Sequence, residues 1–310
     1  MAEIETYKIS EPYLHTECSL GEGPYYEEAT GELRFVDIIK KEIHSVNLAE
    51  GPNSHKVTKL EHSVGITADI EGHEGEYIVA AKLGFAIFNK STGQLRYIKK
   101  VYDDPTTAER FRFNDGNVDS KGRFWAGTMY DFHSGEPQPE GCVFRLDPDL
   151  TLHRMIENVC IPNGMGWSPD DQTFYFTDSP SKNIVAYDFD PESGNISNKR
   201  TFFTLDDGDA VPDGCTVDSE GYLWVAIHEG SRVIRVSPEG KQVAEVKMDA
   251  WKITCPIFGG PNNDELFITS AGVGSDDPKP EGCKDNGAVF RFKTSTTGLP
   301  SNKFVLSAKP

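Results

Sequence analysis

The sequence of 310 residues predicts an all-β fold, a six-bladed β-propeller, from three observations. One strand-like phrase recurs six times, the recurrences are spaced in the forties of residues, and each unit holds about four strand-like segments. The phrase is clearest over 161–178. There Gly164 to Ser168 is small and apolar, Pro169-Asp170-Asp171 is a turn signal, and Phe174 to Thr177 is aromatic and β-branched, which suits a pleated, half-buried surface.

The second strand of each unit reads as 32–37, 76–81, 123–128, 173–178, 222–227 and 265–270. Its leading apolar residues, Leu33, Tyr77, Phe124, Phe174, Leu223 and Leu266, are separated by 44, 47, 50, 49 and 43 residues. Third strands follow at 42–48, 84–90, 141–147, 183–189, 232–237 and 287–292, and a more variable segment supplies a fourth. A blade alone buries only one face, so six must pack radially around an axis. A β-sandwich also shows short strands and turns, but the regular period favours the propeller. No Pro/Ser-rich linker or charge block interrupts the repeats, so 1–310 reads as a single domain.

Aligning the first strands brings four oxygen-bearing residues into register. Glu22, Asn114, Asn163 and Asp213 each precede an apolar strand residue (Tyr26, Val118, Trp167 and Val217) by four. Residues four apart in a strand point the same way, and innermost strands line the channel of a propeller, so these side chains are expected to converge near the axis. The equivalents near Val64 and Ile253 are apolar. Asn163-Gly164 and Asp213-Gly214 also read as hairpin-turn dipeptides, although each unit already has a turn downstream, as at 169–171 and 219–221. Two carboxylates and two amide carbonyls suit a hard divalent cation such as Ca²⁺, Mg²⁺ or Mn²⁺, and do not exclude Zn²⁺ or Fe²⁺. An ion with open positions polarises a carbonyl and lowers the pKa of bound water; the alternative is an ion that only pins the blades.

The phrases Gly21-Glu22-Gly23-Pro24, Phe35-Val36-Asp37-Ile38, Arg112-Phe113-Asn114-Asp115-Gly116, Ala126-Gly127-Thr128-Met129, Pro162-Asn163-Gly164 and Pro212-Asp213-Gly214 resemble the regucalcin family, also called the senescence-marker, gluconolactonase and luciferin-regenerating-enzyme group. They occur in the family's order, between about 17 and 292. The resemblance implies a six-bladed propeller with one catalytic divalent cation that hydrolyses sugar lactones. It implies that Glu22, Asn163 and Asp213 ligate the metal, that Asn114 holds substrate or a metal-bound water, and that Arg112 binds sugar hydroxyls. Asp213 would double as general base or position the attacking water, while the metal stabilises the oxyanion. In that family a carboxylate soon after Gly-Thr-Met also touches the sugar. Here the run is Tyr130-Asp131-Phe132-His133, so either Asp131 supplies this substrate contact or Phe132 displaces it.

Composition narrows the remaining classes. The net charge of −18 argues against nucleic acid and anionic membranes as partners. No signal-peptide core or membrane-length apolar run occurs, so a cytoplasmic protein is expected. The six cysteines include no C-x-x-C pair, which argues against a thiolate zinc or dithiol site. The elbow of serine hydrolases, the H-E-x-x-H helix and phosphate-cradling glycine loops are absent from the sequence. Locally, 103–110 reads as a helical turn, 134–141 as a loop, and 206–209 as an exposed turn lacking EF-hand spacing. His62, Trp224 and Trp251 read as packing residues, and 298–310 as a segment closing the last blade against the N-terminal strand. Two further functions compete with the sugar lactonase: a phosphotriesterase-like hydrolase, and a calcium-binding scaffold without turnover.

Overall fold

The computed structural model describes residues 4–274, 277–278 and 280–307. Its strands form six sheets, the six blades of a propeller, antiparallel but for one added strand. The innermost strands are Gly21–Glu27, Val64–Asp69, Phe111–Val118, Pro162–Trp167, Val211–Val217 and Ile253–Gly259. The second strands, Glu32–Asp37, Glu76–Ala81, Phe124–Tyr130, Thr173–Asp178, Leu223–His228 and Glu265–Ser270, agree with the expected ones to within two residues. The helical turn is Pro105–Arg110, opened by Asp104, whose side chain accepts from Thr107 N.

The chain ends behave differently from expectation. Over its described residues, 298–307, the C-terminal segment does not close the last blade against the N-terminal strand. Instead, Leu14 and Val289 exchange backbone hydrogen bonds at 3.0 Å, so the N-terminal stretch lines the outer edge of blade 6. Glu5–Lys8 adds to blade 5 as a fifth strand, parallel to Gln242–Lys247. The C-terminal stretch is a strap across the face where the inner strands end. Leu299 N donates to Val217 O (3.4 Å), Phe304 N to Asp69 O (2.8 Å) and Val305 N to Gly122 O (3.0 Å). Phe304 is fully buried in the core between blades 2 and 3, so the strap is anchored by apolar burial as well.

Two blades share an internal brace. Asp119 and Asp218, both fully buried, sit at the turn between first and second strands. The Asp119 carboxylate accepts from Lys121 N, Arg123 N, Arg123 Nε (2.6 Å) and Trp125 Nε1 (2.9 Å). Asp218 repeats the pattern with Glu220 N, Tyr222 N, Trp224 Nε1 (2.9 Å) and Arg235. Trp224 is therefore a packing residue with a satisfied indole, as expected, and Trp251 donates to Glu229 O (3.0 Å).

Every inner strand carries a one-residue bulge near its start. The pairing register slips between Glu22 and Tyr25, Val64 and Ile66, Phe113 and Gly116, Asn163 and Gly166, Pro212 and Cys215, and Ile253 and Pro256. A bulge bends its strand and re-aims the side chains beside it. Strict alternation therefore does not hold between Glu22 and Tyr26 or their equivalents. The four oxygens share a level because all four strands break at the same place. Among the described residues, no helix is long and apolar enough to cross a membrane.

Candidate metal centre

The inner strands begin at the face opposite the strap, and their bulges place a polar cluster at the axis. Glu22, Asn114, Asn163 and Asp213 are 3–6% exposed, and Arg112 is 2% exposed. Close approach of neighbouring strands depends on small residues. Gly164, at φ +38°, has room for no side chain against Asp213 O, and a Cβ at Gly65 would collide with Asn114 O.

One hydrogen-bond chain runs across three blades. Arg112 Nη1 donates to Asn114 Oδ1 (2.9 Å), Asn114 Nδ2 donates to Asn163 Oδ1 (2.9 Å) and Pro162 O (2.9 Å). Asn163 Nδ2 donates to Ser179 Oγ (2.8 Å), whose hydroxyl donates to Pro212 O (2.7 Å), beside Asp213. Opposite this chain, Thr254 Oγ1 donates to Gly21 O (2.6 Å) and ties blade 6 to blade 1 beside Glu22. Asp178, at the end of the second strand of blade 4, lies at this same face. Its carboxylate accepts from Cys160 N and Ile161 N, as the Asp37 carboxylate accepts from Ser19 N and Leu20 N. Both hold the loops that enter the inner strands.

The charges are unbalanced. Burial pushes the Glu22 carboxyl up to about 8, with the Asp115 charge adding to it and the Gly23 amide and Arg112 opposing. Burial, Glu22 and Asp115 together push Asp213 well above the usual carboxylate range. Asp213 Oδ1 is buried and has no hydrogen-bond partner among the described residues. Arg112 is the cation that faces the group, and burial pulls its guanidinium down to about 10. Three buried carboxylates against one guanidinium leave a surplus of negative charge that a divalent cation would neutralise. Among the described residues no cluster of three or more His, Cys, Asp and Glu side chains is placed to hold an ion. Any cation there would need neutral oxygen donors as well as carboxylates. Carboxylate and amide oxygens around an orphaned buried Oδ1 fit a hard cation.

Asp115 is the residue that sequence reading passed over. It follows Asn114 inside the same bulge, is 5% exposed, and accepts from Gly116 N (2.7 Å). Burial pushes it up to about 6, against the Gly116 and Gly164 amides. The signal was present as the consecutive Asn114-Asp115, but alternation would have sent one of the two away from the axis. Asp131 lies at the mouth and does not join the cluster. Its Oδ2 pairs with Lys82 Nζ at 2.6 Å. Burial works against its charge, yet Lys82, Arg112 and His133 hold it below the usual carboxylate range. The Phe132 ring stands 4.7 Å from Arg112 Cζ, a cation–π contact. His62 does have a partner, the Tyr97 hydroxyl at 2.9 Å from Nδ1.

A profile described as the SMP-30/Gluconolactonase/LRE-like region matches residues 20–272. The chain belongs to this family. Within the SMP-30/gluconolactonase family, regucalcin of Xenopus laevis is 36% identical over 302 residues, covering 95% of this chain and 92% of that protein. YvrE of Bacillus subtilis, whose name assigns it provisionally as a sugar lactone lactonase, is 35% identical over 257 residues, covering 83% of this chain and 85% of that protein. Among solved structures, a luciferin-regenerating enzyme superposes with a TM-score of 0.85 at 30% identity, covering 94% of this chain and 96% of its own. Regucalcin of Agrobacterium tumefaciens, described as a calcium-binding protein, superposes at 0.88 with 24% identity, covering 97% and 99%, which shows the family fold.

The raised carboxylates give a pH prediction for the metal-free protein. A carboxyl whose folded pKa exceeds its unfolded value binds more protons when folded, so stability falls as pH rises between the two values. For Glu22 that window runs from about 4.5 to about 8. Metal-free protein should lose roughly 5 °C or more of melting temperature across it, and added divalent cation should restore the loss at the alkaline end. A flat, metal-insensitive melting profile would contradict the charge imbalance.

Proposed function

We propose that this chain is a lactonase that opens sugar aldonolactones to aldonic acids with one divalent cation, held by Glu22, Asn163 and Asp213. The observation that carries the reading is the buried, partnerless Asp213 Oδ1 within a surplus of carboxylate charge, at the mouth end of the inner strands. Family membership supports the hydrolytic class. Bound there, the cation would polarise the lactone carbonyl.

The chain's own residues supply the remaining chemistry. Arg112 has Nη1 engaged by Phe113 O and Asn114 Oδ1, while Nε has no partner among the described residues. It offers donors to ring hydroxyls and fixes the sugar. Asn114 and Ser179 hold the Asn163 amide in orientation. Asp213 accepts the proton of the attacking water. The water oxygen bonds to the carbonyl carbon, the ring C–O bond breaks, and the freed alkoxide takes up the proton held by Asp213. Asp131, already neutralised by Lys82, contributes Oδ1 to a sugar hydroxyl at the mouth.

The test is a lactonase assay on metal-stripped protein, with Ca²⁺, Mg²⁺, Mn²⁺, Zn²⁺ and Fe²⁺ returned separately over a panel of aldonolactones. Restoration by at least one ion is expected. Tight metal binding with no turnover on any lactone would favour the scaffold reading instead. Arg112→Ala should raise KM for polyhydroxylated lactones about 10- to 100-fold, the worth of a charged hydrogen bond. An unchanged KM for sugar lactones would remove Arg112 from substrate binding.

A further inference from the structure

We infer that the off-axis cleft above blades 1 to 3 binds a second sugar ring, so that the preferred substrate is the lactone of a disaccharide acid. The inference rests on the lactonase reading above and extends it. A cavity of about 480 Å³ opens beside the metal centre, lined by the segments that follow the second strands of blades 1, 2 and 3 and by residues at the entry to the inner strands of blades 2 and 3. Its size falls within the range of about 300–1,000 Å³ usual for small-molecule sites. Arg112 belongs both to this cavity and to the hydrogen-bond chain at the axis, so the two spaces meet at its guanidinium. A lactone ring fixed between Arg112 and Asn114 leaves the outer part of the cleft unfilled.

The walls identify what fills it. One side is apolar: Ile38, Ile39, Leu83 and Phe132. Ile39 and Phe132 are each 52% exposed, among the few large apolar side chains left uncovered. The other side is polar, with His62, Ser63 and Lys82, next to the Asp131 carboxylate assigned to the lactone ring. His62 Nδ1 is engaged by Tyr97, which leaves the other ring nitrogen available to a ligand.

Of the two lysines here, Lys82 is charge-matched by Asp131, while Lys41 donates to a backbone carbonyl. Lys82 Nζ is taken by Asp131 Oδ2 (2.6 Å) and Glu109 O (2.7 Å), and Lys41 Nζ by Glu61 O (3.1 Å). A phosphate or carboxylate substituent would meet the Glu109 and Asp131 carboxylates on the same lining, and a purely apolar tail would bury the polar side unpaired. A neutral pyranose satisfies both walls: its C–H face lies on Phe132 and Ile39, and its hydroxyls reach the polar side.

The probes are glucono-1,5-lactone and cellobiono-1,5-lactone, assayed with the restored cation, together with calorimetric binding of the product acids gluconate and cellobionate. Cellobionolactone should show a kcat/KM at least about tenfold higher, mainly through KM, and cellobionate should bind correspondingly tighter than gluconate. Ile39→Trp, a change at an exposed side chain, fills the outer cleft. It should remove the cellobiono preference in both measurements while gluconolactone turnover stays within about twofold. Gluconolactone hydrolysis without any preference for the disaccharide lactone, or a preference untouched by Ile39→Trp, overturns the inference and leaves the lactonase reading standing. Turnover of neither lactone, with Ile39-dependent binding of cellobionate retained, overturns the lactonase reading and leaves the cleft's occupant standing. Absence of both turnover and binding overturns both.

Discussion

Asp213→Asn is expected to lower kcat/KM on sugar lactones by about 10²- to 10⁴-fold, the usual worth of a general base, with further loss if metal affinity falls. The substitution keeps volume and one carbonyl oxygen, so packing around Gly164 and Gly214 is preserved. It deletes a charge that burial and the neighbouring Glu22 and Asp115 already disfavour. The same variant should therefore melt higher than wild type when both are metal-free, and lower or equal when both are saturated with cation. Opposed effects on activity and metal-free stability distinguish a functional carboxylate from a structural one. Retention of most of the rate, or loss of metal-free stability, would remove Asp213 from its assigned role.

Asp119→Ala is expected to destabilise the protein by about 3–5 kcal/mol, because it leaves buried partners uncompensated. Arg123, Trp125 Nε1 and two backbone amides all lose their acceptor at a fully buried position. Urea denaturation should show the midpoint falling with little change in slope. Asp218→Ala should cost a similar amount, since Asp218 makes the equivalent set of bonds in blade 5. The exposed pair of Lys121 and Glu192, at 2.7 Å, is the control: Lys121→Ala should cost under about 1 kcal/mol. Equal losses from Asp119→Ala and Lys121→Ala would show that burial does not set the cost.

Most of the architecture was legible because each blade repeats one local rule. The aromatic and β-branched second strands were readable at nearly their observed ends, since turn residues bracket every one. The level of Glu22, Asn114, Asn163 and Asp213 was legible for a less secure reason. Counting four residues back works only because each inner strand carries the same bulge, and alternation alone would not justify it. Asp115 was hidden by that bulge. The chain ends were illegible for a different cause: Phe304 opens a run of three apolar residues, Phe304-Val305-Leu306, too short for periodicity to say which core it enters. The Lys82–Asp131 pair joins residues 49 apart in sequence, across two blades, and no local pattern links them.

The C-terminal strap has a kinetic consequence. Residues 299–302 lie with Val118, Trp167, Val217 and Ile257, the far portions of four inner strands, around the axis on the face away from the metal centre. Among the described residues the strap lies over that end of the channel, so exchange with solvent is expected through the opposite face. The acid product must leave by the route through which the lactone arrives, past Arg112 and Phe132. Product and substrate then exclude one another, so accumulated aldonate should act as a competitive brake on the enzyme's own turnover.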